Sequence, residues 1–271
     1  MTTMAPVEVG AGPPLVLIPG IQGRWEYLQP AIDALGRFFR VLTFSLCGER
    51  DAGAPFDPAL GMDNYCRQVA AILDRAKLNG ALICGVSFGG LAAIRFAATR
   101  PERTAALILV STPGPDWHLR PRHHTYTRLP WLFGPLFLIE SPFRLRAELW
   151  TAFPDWRSRC RFAVWQLRTL ARAPLSPARM GVRASLIPDP HVLDDCARIT
   201  ARTLIVTGEP GLDHVVPTTA TSTYTTLIAR ACQRKIDNTG HLGSITKPEV
   251  FASIVGEFFE PRQGDPSRGF R

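Results

Sequence analysis

Lysine is nearly missing from this chain. Of its 31 basic residues only Lys77, Lys235 and Lys247 are lysine, so the formal net charge of +8 rests almost wholly on arginine. No lysine-rich tail and no basic run interleaved with aromatics is present, which leaves nucleic acid without its usual electrostatic footprint. The six cysteines, Cys47, Cys66, Cys84, Cys160, Cys196 and Cys232, include no CxxC pair and none stands at metal-ligand spacing from a histidine. A zinc site and a disulfide framework are thereby excluded, and reduced, mostly buried thiols of a cytoplasmic protein are expected. No metal or organic cofactor is implied. Long apolar runs are also lacking. The longest, Trp131–Ile139, falls far short of the roughly 20 residues that a membrane span requires. The start of the chain has no basic stretch followed by an apolar one, so no signal peptide is expected. Nothing repeats internally.

What is present is a chain of 271 residues, 46% hydrophobic and 20% charged. That suits one large α/β domain with a real core. Short apolar runs at Leu15–Ile18, Val41–Leu46, Ala81–Val86, Ala105–Val110 and Thr203–Thr207 read as strands, and Gln233–Ile236 reads as a sixth. Helical spacing covers Trp25–Leu35, Asn64–Ala76, Leu91–Thr99 and about Pro248–Phe259. The strands are continuously apolar and alternate with helices, the pattern of a mostly parallel, doubly wound sheet covered on both faces. The alternation breaks once. Residues 113–200 are aromatic, arginine-rich and helical in character, with Trp117, Trp131, Trp150, Trp156 and Trp165 among them. This stretch reads as an inserted helical cap, leaving residues 1–112 and 201–271 as the core.

One stretch carries chemistry. In Cys84-Gly85-Val86-Ser87-Phe88-Gly89-Gly90, Ser87 follows a buried strand and precedes a helix. A serine lifted above a sheet edge needs a strained turn, and glycines at 85 and 89 leave room for neighbouring backbone. The next N–H, that of Phe88, opens a helix and points at developing negative charge. A serine hydroxyl needs a positioned base. His241, in the loop after the strand at Gln233–Ile236, is the candidate. An acid must fix the imidazole tautomer, and Asp213, after Thr203–Thr207, is favoured over Glu209 and over Asp116 in the loop after Ala105–Val110. All three follow strand ends on one edge of the sheet, in the order serine, acid, histidine.

Taken together, LVLIPG, GVSFGG, RPERTAALILVS, TLIVTGEPGLDHVVP and NTGHLGSITKPEVF resemble the α/β-hydrolase fold, in its cap-bearing serine hydrolase form. The resemblance covers nearly the whole chain outside the cap. It implies an oxyanion hole of two backbone N–H groups: Phe88, and Ile21 or Gln22 in the loop after the first strand. Two departures stand out. Where the family usually has His-Gly, this chain has Pro19-Gly20, which keeps the backbone donor but loses the histidine's supporting hydrogen bonds. The acid loop, with Pro210-Gly211, is slightly lengthened.

The expected activity is hydrolysis of an ester or thioester of an apolar small molecule through an acyl-enzyme. A serine nucleophile argues against epoxide hydrolases and haloalkane dehalogenases, which carry aspartate there. Lactonase, carbon–carbon hydrolase, aminopeptidase and perhydrolase chemistry, and a non-catalytic binding protein on the same fold, stay open as alternatives. Within the cap, Arg157, Arg161, Arg168 and Arg172 recur at helical spacing, with Cys160, Ala163, Val164, Leu167 and Leu170 on the other side. The stripe reads either as a solvated face or as a docking strip for an acidic carrier protein or anionic substrate. Trp131–Ile139, Phe143 and Trp150 are candidates to line an acyl pocket. His118, His123, His124, His191 and His214 read as loop or surface residues.

Overall fold

Alternating side chains of four consecutive residues show how the core is divided. Leu15 and Leu17 pack into one buried cluster, Val16 and Ile18 into another, as a strand with helices on both faces requires. The computed structural model describes residues 6–118 and 130–259. It contains one seven-stranded sheet: β1 (Val7–Val9), β2 (Pro14–Ile18), β3 (Arg40–Thr43), β4 (Ala81–Val86), β5 (Thr104–Val110), β6 (Thr203–Thr207) and β7 (Ala231–Lys235), in the order β1-β3-β2-β4-β5-β6-β7. All neighbouring pairs are parallel except β1 with β3.

On one face lie α1 (Gln29–Leu35) and the last helix, which pack against each other and bury Ile32, Phe251 and Val255 with Leu15, Cys84 and Ile108. On the other lie α2 (Asp63–Arg75) and α3 (Phe88–Thr99), whose Val69, Leu73, Phe88 and Phe96 join Val16, Ile83 and Leu107. Between β5 and β6 run α4 (Pro130–Ala152), α5 (Trp156–Arg172), α6 (Pro177–Ser185) and α7 (Val192–Arg198). The side chains of Asp155 and Ser176 cap the N-termini of α5 and α6. The last of the four, α7, packs on α3: Cys196 is buried in the core cluster and Asp195 pairs with Arg95 at 3.1 Å. After β6 come α8 (Thr218–Ser222) and α9 (Tyr224–Leu227), and after β7 come α10 (Gly243–Thr246) and α11 (Pro248–Phe259).

The short helices α8, α9 and α10 have no counterpart in the sequence reading, β7 runs Ala231–Lys235 rather than the expected Gln233–Ile236, and three further differences have plain causes. β1 is an edge strand of three residues, too short for a periodic signal, and it exists by pairing with β3, with Glu8 reaching Arg40 at 2.6 Å. The strand expected over Val41–Leu46 stops at Thr43, because the chain then turns so that the Leu46 N–H can bond the Gly23 carbonyl at 2.7 Å. The helix expected from Trp25 opens as a 3₁₀ turn, Trp25–Leu28, since Pro30 suits only the first turn of the α-helix that follows. No described helix is long and apolar enough to cross a membrane.

Candidate active site

Ser87 sits between β4 and α3 with φ 53° and ψ −121°, a strained backbone for a residue with a side chain. The glycines around it have visible causes. A Cβ on Gly85 would meet the Gly89 carbonyl oxygen at 2.3 Å, and one on Gly89 would meet the Ile18 oxygen at 2.4 Å. The turn is pinned by the Ser87 N–H to the Val110 carbonyl at 2.8 Å. The strain is thus held by the two neighbouring strands, and it leaves the hydroxyl on the wall of a cavity.

His241 Nε2 lies 3.1 Å from Ser87 Oγ, and His241 Nδ1 lies 3.1 Å from Asp213 Oδ2. Asp213 is fixed in turn: its Oδ1 accepts the N–H groups of Val215 at 2.9 Å and Val216 at 2.8 Å. The two loops carrying acid and histidine are joined along their length. The Glu209 N–H donates to the Thr239 carbonyl at 2.8 Å, and the Asn238 N–H donates to Glu209 Oε1 at 2.9 Å. A Cβ on Gly240 would meet the Leu212 carbonyl oxygen at 2.4 Å. Glu209 therefore braces the histidine loop through its backbone. Asp116 is exposed on the cavity wall, and the carboxylate that meets the imidazole is that of Asp213. Burial disfavours the charged form of His241, yet the neighbouring Asp213 carboxylate, its hydrogen bond and the charge of Glu148 outweigh it and raise the imidazole's pKa.

The cavity above Ser87 has a volume of about 1290 Å³. Ile21, Gln22 and Phe88 line it beside Ser87, and Trp150, Phe153, Phe162, Leu167, Leu170 and Met180 form its apolar side. Trp150 thus stands where an acyl pocket was expected, whereas Phe143 is exposed elsewhere. Most side chains of Trp131–Ile139, and His123 and His124, lie outside the described residues. His118 and His214 are exposed loop residues at the cavity rim, and His191 precedes α7. The cap helix α5 packs differently from its sequence pattern. Of the residues expected opposite the arginines, Ala163, Leu167 and Leu170 line the cavity, the two leucines staying exposed, whereas Cys160 and Val164 lie on the arginine side, because the helix turns them toward the neighbouring groove. The other side of α5 borders a second groove of about 780 Å³, lined by Arg161, Arg168 and Arg172 with Trp25 and Trp165. Arg157 is exposed and stacks on Trp156. Among the described residues no group of acids, histidines and cysteines is placed to hold a metal ion.

Two buried charges from the cap reach this site, and neither has a local sequence signal. Glu148 of α4 is fully buried, and its Oε1 accepts the N–H of Leu242, next to His241, at 2.7 Å. Arg183 of α6 is 1% exposed, and its Nη1 donates to the Ile21 carbonyl at 2.9 Å.

A sequence model described as the alpha/beta hydrolase family matches residues 15–254. The chain is 26% identical over 264 residues to a 2-hydroxymuconate semialdehyde hydrolase of Pseudomonas sp. (strain CF600), covering 93% of this chain and 88% of that protein. It is 27% identical over 250 residues to a pimeloyl-(acyl-carrier protein) methyl ester esterase of Nitrosomonas europaea, covering 90% and 94%. Among solved structures, the enol-lactonase from Burkholderia xenovorans LB400 superposes with a TM-score of 0.72 at 18% identity, over 94% of this chain and 95% of that one. The family match runs from the first parallel strand into the last helix, so the chain belongs to the alpha/beta hydrolase family.

Proposed function

We propose that this protein is a serine hydrolase that cleaves an ester or thioester of an apolar small molecule through an acyl-enzyme. The observation that carries the reading is the line Ser87–His241–Asp213, with 3.1 Å at each step, opening onto a mainly apolar cavity. Ser87 Oγ attacks the carbonyl carbon while His241 Nε2 takes its proton. Asp213 holds Nδ1 protonated and stabilises the imidazolium that forms. The N–H groups of Phe88 and of Ile21 or Gln22 receive the oxyanion. The tetrahedral species collapses as His241 returns the proton to the leaving alcohol or thiol. Water, activated by the same histidine, then releases the acid. A cavity of this size and lining suits an acyl group of medium length or an aromatic acid.

The decisive experiment is a rate series over esters and thioesters of increasing acyl length, with Ser87→Ala as control. Rates that rise with apolar length and vanish in Ser87→Ala, together with loss of fluorophosphonate labelling, are expected. Labelling that persists in Ser87→Ala would sink the assignment. A separate assay offers 2-hydroxymuconate semialdehyde, the compound in the name of one relative, which contains no ester bond; its turnover would favour carbon–carbon hydrolysis over the ester reading. A second reading, acyl groups delivered on an acidic carrier protein, is favoured by the groove of Arg161, Arg168 and Arg172, with Arg157 beyond it, and by the carrier protein in another relative's name.

A further inference from the structure

The loop Pro19–Gly23 holds both candidate oxyanion donors contributed from outside the serine turn, and among the described residues no side chain of the loop hydrogen-bonds its backbone. Its internal support is one turn bond, from the Gly23 N–H to the Gly20 carbonyl at 2.9 Å, and one tie to the core, from Leu46 N–H to the Gly23 carbonyl at 2.7 Å. The remaining support comes from the cap. Arg183 Nη1 donates to the Ile21 carbonyl at 2.9 Å, across 162 positions of sequence. Its Nη2 is paired with Glu49 Oε1, and Glu49 Oε2 also takes Arg179 Nη1, one helical turn earlier, at 2.8 Å. The side chains of Arg183 and Glu49 are both 1% exposed.

The loop backbone is shaped to this guanidinium. Gly23 has φ +74°, and a Cβ there would lie 2.3–2.4 Å from three guanidinium atoms. Only glycine lets the planar group lie flat on the turn. The Ile21 carbonyl and the Gln22 N–H belong to one planar trans peptide and point opposite ways. Fixing the oxygen therefore fixes the plane of the donor on its other side, and limits the Ile21 N–H through the shared residue. A fully buried ion pair is a poor source of net stability, because desolvating two charges offsets their attraction. A planar guanidinium with one nitrogen on Glu49 and the other on the Ile21 carbonyl does fix position.

We propose that Arg183, held by Glu49, is the positioning residue for the loop side of the oxyanion hole, so that this half of the site is set only while α6 is docked. The proposal rests on Ser87 acting as the nucleophile of an acyl-transfer reaction.

The test uses Arg183→Lys, which keeps the charge but cannot serve Glu49 and the Ile21 carbonyl together, and Arg183→Met combined with Glu49→Gln, which leaves no buried charge unpaired at those two positions. For each folded variant, kcat and KM are measured on a p-nitrophenyl ester. Affinities are measured for a trifluoromethyl ketone, which mimics the tetrahedral oxyanion, and for the product acid. The expected result is a kcat loss on the order of 10²-fold with KM within about threefold. The ketone should weaken by a similar factor and the product acid should not. A kcat within twofold of wild type, or equal weakening of ketone and acid, would overturn the proposal. A measurement on the unaltered protein covers variants that fail to fold. Amide exchange of Ile21–Gly23 and of α6 should share one opening step, and a loop that exchanges independently of α6 would refute the proposal. If the wild type neither labels with fluorophosphonate nor hydrolyses any ester, the nucleophile assignment itself falls, and the proposal falls with it. Labelling and turnover in the wild type keep the two failures distinct.

Discussion

Glu148 of the cap grips the backbone of Leu242: its Oε1 accepts that N–H at 2.7 Å while its Oε2, also buried, has no hydrogen-bond partner among the described residues. Burial pushes its carboxyl up to about 7, against the pull of the Gly240 and Leu242 N–H groups and of His241. The sign follows from proton binding. Between its ordinary value of 4.5 and about 7, the folded state holds a proton that the unfolded chain has released. This group therefore favours folding at low pH, and its contribution is lost as pH rises through about 7. Glu148→Gln keeps an acceptor for Leu242 without the charge. It should stabilise the protein by about 1–3 kcal/mol at pH 8, with the gain shrinking below pH 5. Urea unfolding at both pH values checks this, and an equal effect at both would show that ionisation is not involved.

The same substitution should move the activity profile. Ionised Glu148 is one of the groups that raise His241, together with Asp213. Proton abstraction from Ser87 needs a neutral imidazole. Removing the charge should lower the His241 pKa and shift the acid limb of kcat/KM to lower pH, by a few tenths of a unit to about one unit. An acid limb that stays in place would mean that Glu148 only braces the loop.

Asp213 makes a sharper case. In Asp213→Asn the oxygen can still accept from Val215 and Val216, which places the amide nitrogen against His241 Nδ1. Two donors then face each other, or the imidazole takes the wrong tautomer. A kcat loss of about 10²–10⁴-fold is expected, with little change in melting temperature. Asp116→Asn should stay within about fivefold of wild type. The reverse ranking would make Asp116 the working acid.

The parts of this site that were legible in sequence are those fixed locally. Gly85, Gly89 and the apolar strand before Ser87 announce a strained turn, because their requirements arise within a few residues. Asp213 could be placed because it follows the apolar strand β6, and His241 because it follows the last strand before the final helix, parallel strands ending on one edge. Glu49 and Arg183 meet across 134 positions, and no periodicity connects them. Glu148 reads as one more polar residue of an aromatic helix until Leu242 is seen against it. Leu167 and Leu170 show a related limit. Helical spacing identifies an apolar face, but it does not say whether that face meets side chains or a cavity.

Gly90 tests how tightly the serine turn is packed. A Cβ there would meet Thr112 Oγ1 at 2.0 Å and Thr112 Cγ2 at 2.6 Å, and Thr112 is fully buried. Alanine would gain roughly 1 kcal/mol of helix propensity. Overpacking against a rigid β-branched side chain costs about 1–3 kcal/mol or more. Gly90→Ala should therefore lose stability on balance, seen as a lower urea midpoint at unchanged m-value. The Gly90 N–H bonds the Ser87 carbonyl at 2.9 Å, so any shift of this turn should also lower kcat. A midpoint at or above wild type would show that Thr112 gives way easily.

The arginine face of α5 separates the two substrate readings. Arg161, Arg168 and Arg172 border a groove that also holds Trp25 and Trp165, on the side of the helix away from the cavity over Ser87. Reversing Arg161 and Arg168 to glutamate leaves the cavity lining untouched. Rates on free p-nitrophenyl esters should therefore stay within about twofold. If acyl groups arrive on an acidic carrier protein, kcat/KM for the carrier-bound substrate should fall on the order of 10-fold or more, chiefly through association, and the wild-type rate should drop steeply with added salt. Equal rates for the charge-reversed and wild-type proteins on the carrier-bound substrate would leave these arginines as a solvated face and remove the carrier reading.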